Sequence, residues 1–289
     1  METKTDKKSN QLITPAILIL IAANIFIWRS VAFSADSGKT QLYFLSVGQG
    51  DSELVVLPGN VKILIDGGPP NGMVLDELGK ILPPFDRYID LVILSHPHLD
   101  HYGGLIDVLK SYQVGAIIDN GNSAPISAYA DFVNAINKNG AKHLVLEEGD
   151  AIKYGDARFD VISPNAKDLA SSVVHDGCIV MMFREKGLRA LYTGDIGRDT
   201  EDELIQRYNL SAQILKVGHH GSKTSSSPEF LRAVHPQFSV IEAGLHNTYG
   251  HPTKRTLENL ADIGAQIFRT DQGGTVKFIF DGGNLKVFN

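Results

Sequence analysis

SHPHLDHYGG, Ser95 to Gly104, gathers His96, His98, Asp100 and His101 into six residues and uses three of the ten histidines of the chain. It follows LVIL, Leu91 to Leu94, an apolar run that reads as a buried strand. The cluster therefore sits on a loop at the C-terminal edge of a strand, where a rigid scaffold presents functional groups. Pro97 stiffens this loop, and Gly103-Gly104 let the backbone turn sharply into the next helix. Imidazole nitrogens and a carboxylate converging on one point suit a divalent transition metal. A single loop histidine is ordinary, whereas H-x-H-x-D-H directly after a buried strand seldom arises by chance.

Outward from this loop, period-2 and period-3.6 patterns alternate. QLYFLSV, SELVVL and VKILIDGG read as an antiparallel start, broken by GQGD and PGN. A helix follows near Gly72 to Leu82, then the strand IDLVILS, a helix after Gly103, the strand AIID and a helix near Ala128 to Asn139. The second half repeats the logic. Strands near His143 to Leu146, Arg158 to Ile162, Cys178 to Arg184 and Leu188 to Thr193 lead to a helix at Thr200 to Tyr208 and the strand AQILKV. Helices from Pro228 and Thr253 then alternate with FSVIEA, QIFRT and TVKFIF. Two similar halves of strands and helices predict a layered α/β sandwich with sheets inside and helices outside.

With 289 residues and 43% hydrophobic content the chain can bury a large core, and its formal charge of -6 argues against coating nucleic acid through general basicity. A local basic patch is still allowed. The one cysteine, Cys178, excludes an internal disulfide and a multi-cysteine zinc site, so a metal would rest on histidines and carboxylates. At the N-terminus Lys4, Lys7 and Lys8 precede the apolar run Leu12 to Trp28, and small residues follow at Val31 to Asp36. Residues 1–33 read as a signal-anchor or a cleaved signal peptide, with 34–40 as a linker; both readings export the domain.

HPHLDHYGG resembles the signature of the metallo-β-lactamase superfamily. FLSVGQGDSELV with ILIDGG, LYTGDI, ILKVGHHGSKTSSS and YGHP followed by FRTDQGG together resemble the exported nuclease-like domain of ComEC-type DNA-uptake proteins, from about Leu42 to the C-terminus. The resemblance implies a four-layer αββα metallo-β-lactamase sandwich over residues 41–289. It also implies two divalent ions, zinc or manganese. His96 and His98 would hold one ion with a later histidine, Asp100 and His101 the second ion with the last histidine, and Asp195 of the TGD motif would bridge them. His219 is the first choice for that last ligand, with His220 either behind it or the ligand itself. Asp66 in LIDGG matches the aspartate that orients the metal loop from behind.

The third ligand of the first ion falls where ComEC-like domains carry an asparagine-rich segment and this chain has VVHDGCIV; His175 is preferred there and Asp176 is the alternative. Ser46 departs from the family aspartate before VGQGD. Gln49, Asp51 and Ser52 either hydrogen-bond near the site or simply make a turn. Catalytic work is expected of Asp100, Asp195, His220 and His251, and substrate contact of Ser222, Lys223, Thr224 and Lys254. SSSPEF also reads as a helix N-cap with proline in the first turn. His143 and His235 are expected at the surface, and Lys216 and Arg269 receive no role.

The resemblance implies metal-dependent hydrolysis, with DNA as the substrate, a membrane attachment through the N-terminal segment and, if DNA is imported, a separate channel protein. Two other readings stand beside the nuclease: a hydrolase of a lactam, thioester or small phosphoester, and a binding module without turnover.

Overall fold

A computed structural model of the chain describes residues 14–15, 17–25 and 38–289. Among the described residues fifteen strands form two sheets. The antiparallel start is β1 (Thr40–Phe44), β2 (Glu53–Leu57) and β3 (Val61–Ile65), joined edge to edge as the short GQGD and PGN links require. Beyond β3 the chain crosses through helices, so β4 (Tyr88–Ile93), β5 (Gln113–Asp119) and β6 (Lys142–Val145) add in parallel.

The second sheet follows the same plan. β7 (Ala151–Tyr154), β8 (Ala157–Ser163), β9 (Val180–Glu185) and β10 (Leu188–Tyr192) are antiparallel. β11 (Ile214–Lys216), β12 (Phe238–Ile241) and β13 (Gln266–Arg269) continue in parallel. β14 (Val276–Phe280) then returns to the first sheet beside β1, with β15 (Leu285–Phe288) at its edge.

Apolar side chains from the facing sheets form the central core, where the Phe44 and Tyr192 rings stack 6.0 Å apart. Two further cores cement helices onto the outer faces: Leu78, Val108 and Phe132 on the first sheet, Leu204, Phe230 and Leu260 on the second. The architecture is the expected helix–sheet–sheet–helix sandwich. β7 and β15 are strands the sequence pattern misses; both are short edge strands whose side chains are largely half-exposed or exposed, so they lack the apolar run that marks a buried strand.

The apolar run at the N-terminus is described at residues 14–15 and 17–25, which are helical with Ile17 to Ile21 exposed. No helix of the described residues is long and apolar enough to cross a membrane. The remainder of the expected anchor, and residues 34–37 of the expected linker, lie outside the described residues.

The glycine pair after the histidine loop works differently from the sharp turn expected of it. Gly103 and Gly104 both have right-handed helical backbones, which any residue adopts. What they provide is close approach. A Cβ on Gly104 would collide with the Gly67 carbonyl oxygen and lie 2.9 Å from Val74, and one on Gly103 would lie 2.5 Å from Pro70. The helix carrying the histidines is thereby pressed onto the backbone that carries Asp66. Gly104→Ala is expected to cost about 2 kcal/mol, read as a lower midpoint in urea unfolding; an unchanged midpoint would show that the backbone gives way freely.

Candidate metal centre

Ser95 to His98 leave the end of β4 in an extended loop, and a short helix, Leu99–Tyr102, starts with His98 at its N-cap. That helical turn carries Asp100 and His101 back over the sheet end. His96 and His101 are fully buried, and His98 is half-buried. Asp66, at the end of β3 with φ of 54°, locks the loop: it accepts hydrogen bonds from the Ser95 amide at 2.8 Å and the Ser95 hydroxyl at 2.6 Å, and pairs with His101 Nδ1 at 2.8 Å. With Nδ1 so engaged, Nε2 of His101 is the nitrogen turned toward the cluster.

The second sheet supplies the rest. Asp195 follows β10 through Gly194, whose φ of 52° swings the chain at the sheet end. Its buried carboxylate lies 3.3 Å from His101 Nε2, 3.5 Å from His220 Nε2, 3.8 Å from His219 Nε2 and 4.0 Å from His96 Nε2. His219 and His220 follow β11 with φ of 50° and 53°, two successive left-handed residues without the freedom of glycine. That backbone sends their rings in different directions. His220 is buried, with Nδ1 held 3.0 Å from both the Glu242 carbonyl and Asp51, and its Nε2 faces Asp100 at 3.3 Å. His219 is partly exposed and packs against His175 and His251.

Two clusters of donor atoms result, with Asp195 between them. His96, His98 and His175 form one, and Asp100, His101 and His220 the other. Asp100 and His101 group here with His220, whereas His219, the first choice from the sequence, groups with His175 and Asp195, because the left-handed turn buries the second ring of the pair and leaves the first at the rim. His175 and not Asp176 enters the first cluster: His175 Nε2 lies 3.2 Å from His98 Nδ1, whereas Asp176 accepts a hydrogen bond from the Ser171 hydroxyl.

The donor set fits divalent ions on two counts. Nε2 of His96, His101 and His220 and Oδ1 of Asp195 are buried without a hydrogen-bond partner, an arrangement that is costly unless something else satisfies them. The carboxylates also demand positive charge. Burial opposes protonation of His101 and His220, yet Asp195 with Asp66 raises the first well above its ordinary value, and Asp195 with Asp51 pushes the second up to about 10. His96, His98, His175, His219 and His251 are instead held neutral, chiefly by burial.

Other expected contacts divide. A groove of about 520 Å³ beside His175 and His219 is lined by Arg198, Lys223, Thr224 and Arg255, and also by the carboxylates of Asp176 and Asp199. Lys254 is not among the lining residues. Its side chain is 88% exposed and pairs with Glu258 at 3.2 Å, so helix phase gives the groove to Arg255 instead. Ser222 is buried and bonded to the Thr224 hydroxyl at 3.0 Å, which makes it a brace for the loop. The Ser227 hydroxyl caps the helix Pro228–Val234 as SSSPEF predicts. His143 is paired with Asp119 at 2.8 Å and is about half-exposed.

Lys216 is the residue that sequence reasoning passed over. It is completely buried at the end of β11, donates to Asp51 and to the Gly194 carbonyl at 3.3 Å, and lies 3.9 Å from Asp195. Burial opposes its charge, but Asp51 and Asp195 raise its pKa. Glu53 in β2 and Glu242 after β12 are equally buried beside it. A charge in the middle of an apolar strand, as in ILKV, SELVV and SVIE, was the available signal.

The metallo-beta-lactamase superfamily profile matches residues 45–241, which include the six donors of the two clusters and Asp195 between them. The chain belongs to the metallo-beta-lactamase superfamily. It is 29% identical over 287 residues to ComE operon protein 3 of Bacillus subtilis and 29% identical over 276 residues to competence protein ComA of Neisseria gonorrhoeae. Each alignment covers 93% of this chain but only 36% of the relative, so the chain spans about a third of the length of the curated relatives it matches. Among solved structures, the metallo-beta-lactamase fold protein YhfI of Bacillus subtilis aligns with a TM-score of 0.56 at 14% identity, over 82% of this chain and 99% of that one. Igni18, a metallo hydrolase of Ignicoccus hospitalis, aligns with a TM-score of 0.54 at 16% identity, over 83% and 99%. The chain is thus a hydrolase-fold relative of competence proteins.

Burial, and the Asp51 carboxylate nearby, raise the pKa of Glu242 well above the ordinary value of 4.5. A carboxyl raised on folding binds more protons in the folded state, so its favourable share of stability is complete below 4.5 and is lost as pH rises toward the folded value. Glu242→Gln, which keeps the shape and cannot ionise, should therefore gain in melting temperature over the parent as pH goes from 5 to 8. Parallel curves across that range would refute the buried-acid assignment.

Proposed function

We propose that this chain is a DNA nuclease, hydrolysing phosphodiesters at a centre of two divalent ions, zinc or manganese. The observation that carries this reading is the pair of donor clusters with Asp195 between them, beside a groove that carries Lys223 and Arg255 as well as Asp176 and Asp199. His96, His98 and His175 would hold one ion, Asp100, His101 and His220 the other, and Asp195 both. When bound, such ions supply Lewis acidity and an activated water for in-line displacement.

The chain's own residues set the geometry. Asp66 fixes His101, and Asp51 with the Glu242 carbonyl fixes His220, so that both present Nε2. Lys216 anchors Asp51 and the backbone that carries Asp195. Arg198, Lys223 and Arg255 give the groove cations for phosphate oxygens flanking the scissile one, and their setting suits an anion better than a neutral lactam. His251, neutral through burial and with Nδ1 lacking a partner, is placed at the cleft to hydrogen-bond the departing oxygen. The names of the competence relatives support DNA as the substrate. We also propose that the lysine-flanked apolar segment tethers or exports the domain.

His220→Ala should remove most of one metal equivalent by elemental analysis and abolish cleavage of DNA, while His219→Ala should keep both equivalents and lose only part of the rate. Chelator should stop the wild-type reaction, and a chromogenic cephalosporin should stay nearly intact. Retention of both metals by the His220 variant would overturn the ligand assignment, and rapid cephalosporin turnover with inert DNA would overturn the substrate. Protease added to spheroplasts should digest the domain; protection until lysis would place it on the inner side.

A further inference from the structure

The segment between β12 and the helix Lys254–Asp262 forms the rim of the cleft beside His220, and its two largest apolar side chains face outward: Leu245 is 64% exposed and Tyr249 is 69% exposed. A lone surface aromatic needs no explanation. This one is held in place next to the metal centre. The Tyr249 ring lies 5.8 Å from that of His251 at an interplanar angle of 25°, and His251 lies 6.5 Å from His220 at 29°. A line of three rings therefore runs from the donor cluster to solvent, and the outermost is largely exposed.

Hydrogen bonds brace the loop that carries that ring. Asn247 donates through its side-chain amide to the Gly244 and His251 carbonyls at 2.8 and 2.6 Å, and accepts from the His251 amide at 3.0 Å. The Gly244 amide in turn donates to the Gln49 side chain at 3.0 Å, tying the rim to the first sheet. Gly250, with φ of 72°, makes the turn that seats Tyr249 over His251. A fixed, exposed aromatic face beside a phosphate-cleaving centre has the chemistry of a nucleobase platform, which takes any base because every base has a π-face.

We propose that Tyr249 stacks an unpaired nucleobase of the substrate next to the scissile phosphate, so that the enzyme prefers single-stranded or frayed DNA over intact duplex. In a duplex the faces of each base are covered by its neighbours, and presenting one to Tyr249 costs unstacking. Arg198, Lys223 and Arg255 lie in the groove on the His175 and His219 side, where they take the backbone and leave the bases to the rim. This inference rests on the nuclease reading.

The test is a set of single-stranded oligonucleotides carrying one abasic site at successive positions around the cut, assayed with the metal-loaded full chain. Wild type should lose about tenfold in kcat/KM, mainly through KM, when the abasic site falls at one position beside the cut, as a base stack of 1–3 kcal/mol requires. In Tyr249→Ala that position-specific penalty should shrink to below about twofold, and Tyr249→Phe should restore it. The penalty is a ratio within each variant, so a general loss of folding or activity does not imitate it. The same penalty in the alanine variant, or a wild type that cuts duplex as readily as single strand, would overturn the platform while leaving the nuclease reading intact. A wild type that cuts no oligonucleotide would overturn both.

Discussion

A buried carboxylate surrounded by imidazoles governs this structure. Asp195 is only 2% exposed, and its Oδ1 has no hydrogen-bond partner. A group of that kind survives in a fold only if positive charge surrounds it. Lys216 supplies one fixed cation, and the same field raises the proton affinity of His101 and His220 wherever no metal ion takes the proton's place. The loops around Asp195 are shaped by this demand: the left-handed residues Asp66, His219 and His220 all lie at strand ends facing it. Backbone strain at these three residues is offset by the charge balance it creates.

Much of this arrangement was legible in the sequence. Helix and strand periods placed the long interior elements but not the four-residue helices such as Leu99–Tyr102, and the histidine loop was visible as a cluster because it is contiguous. The two edge strands were not visible, since half-exposed segments such as AIKY have no apolar signature. Nor could spacing distinguish His219 from His220. Adjacent residues differ in sequence by one position, and which ring turns inward depends on φ values that only the assembled sheet end imposes. Lys254 and Arg255 pose the same problem on a helix, where one step rotates a side chain by about 100°. Lys216 was hidden for a different reason: a lysine in a strand is normally a solvated residue, and its burial depends on Asp51, some 165 positions away.

Fold and activity are separable here. CmlA, described as a diiron beta-hydroxylase, shares the architecture with a TM-score of 0.53 at 14% identity over 80% of this chain, so the sandwich alone does not choose between hydrolysis and oxidation. The discriminating information lies in what surrounds the donors. The arginines, the lysine and the exposed tyrosine at the rim are what the proposed DNA substrate would meet, whereas the donor clusters themselves would serve many substrates.

The seven donors are also shared between the two halves of the chain: four come from the loop after β4, and three from segments flanking β9, β10 and β11. Neither half holds a complete cluster. Any ion seated there is therefore a clasp between the sheets, closing a sequence loop of more than a hundred residues from His101 to His220. Assembly of the site and closure of the sandwich become one event, and a centre of this design stays incomplete until both halves have docked.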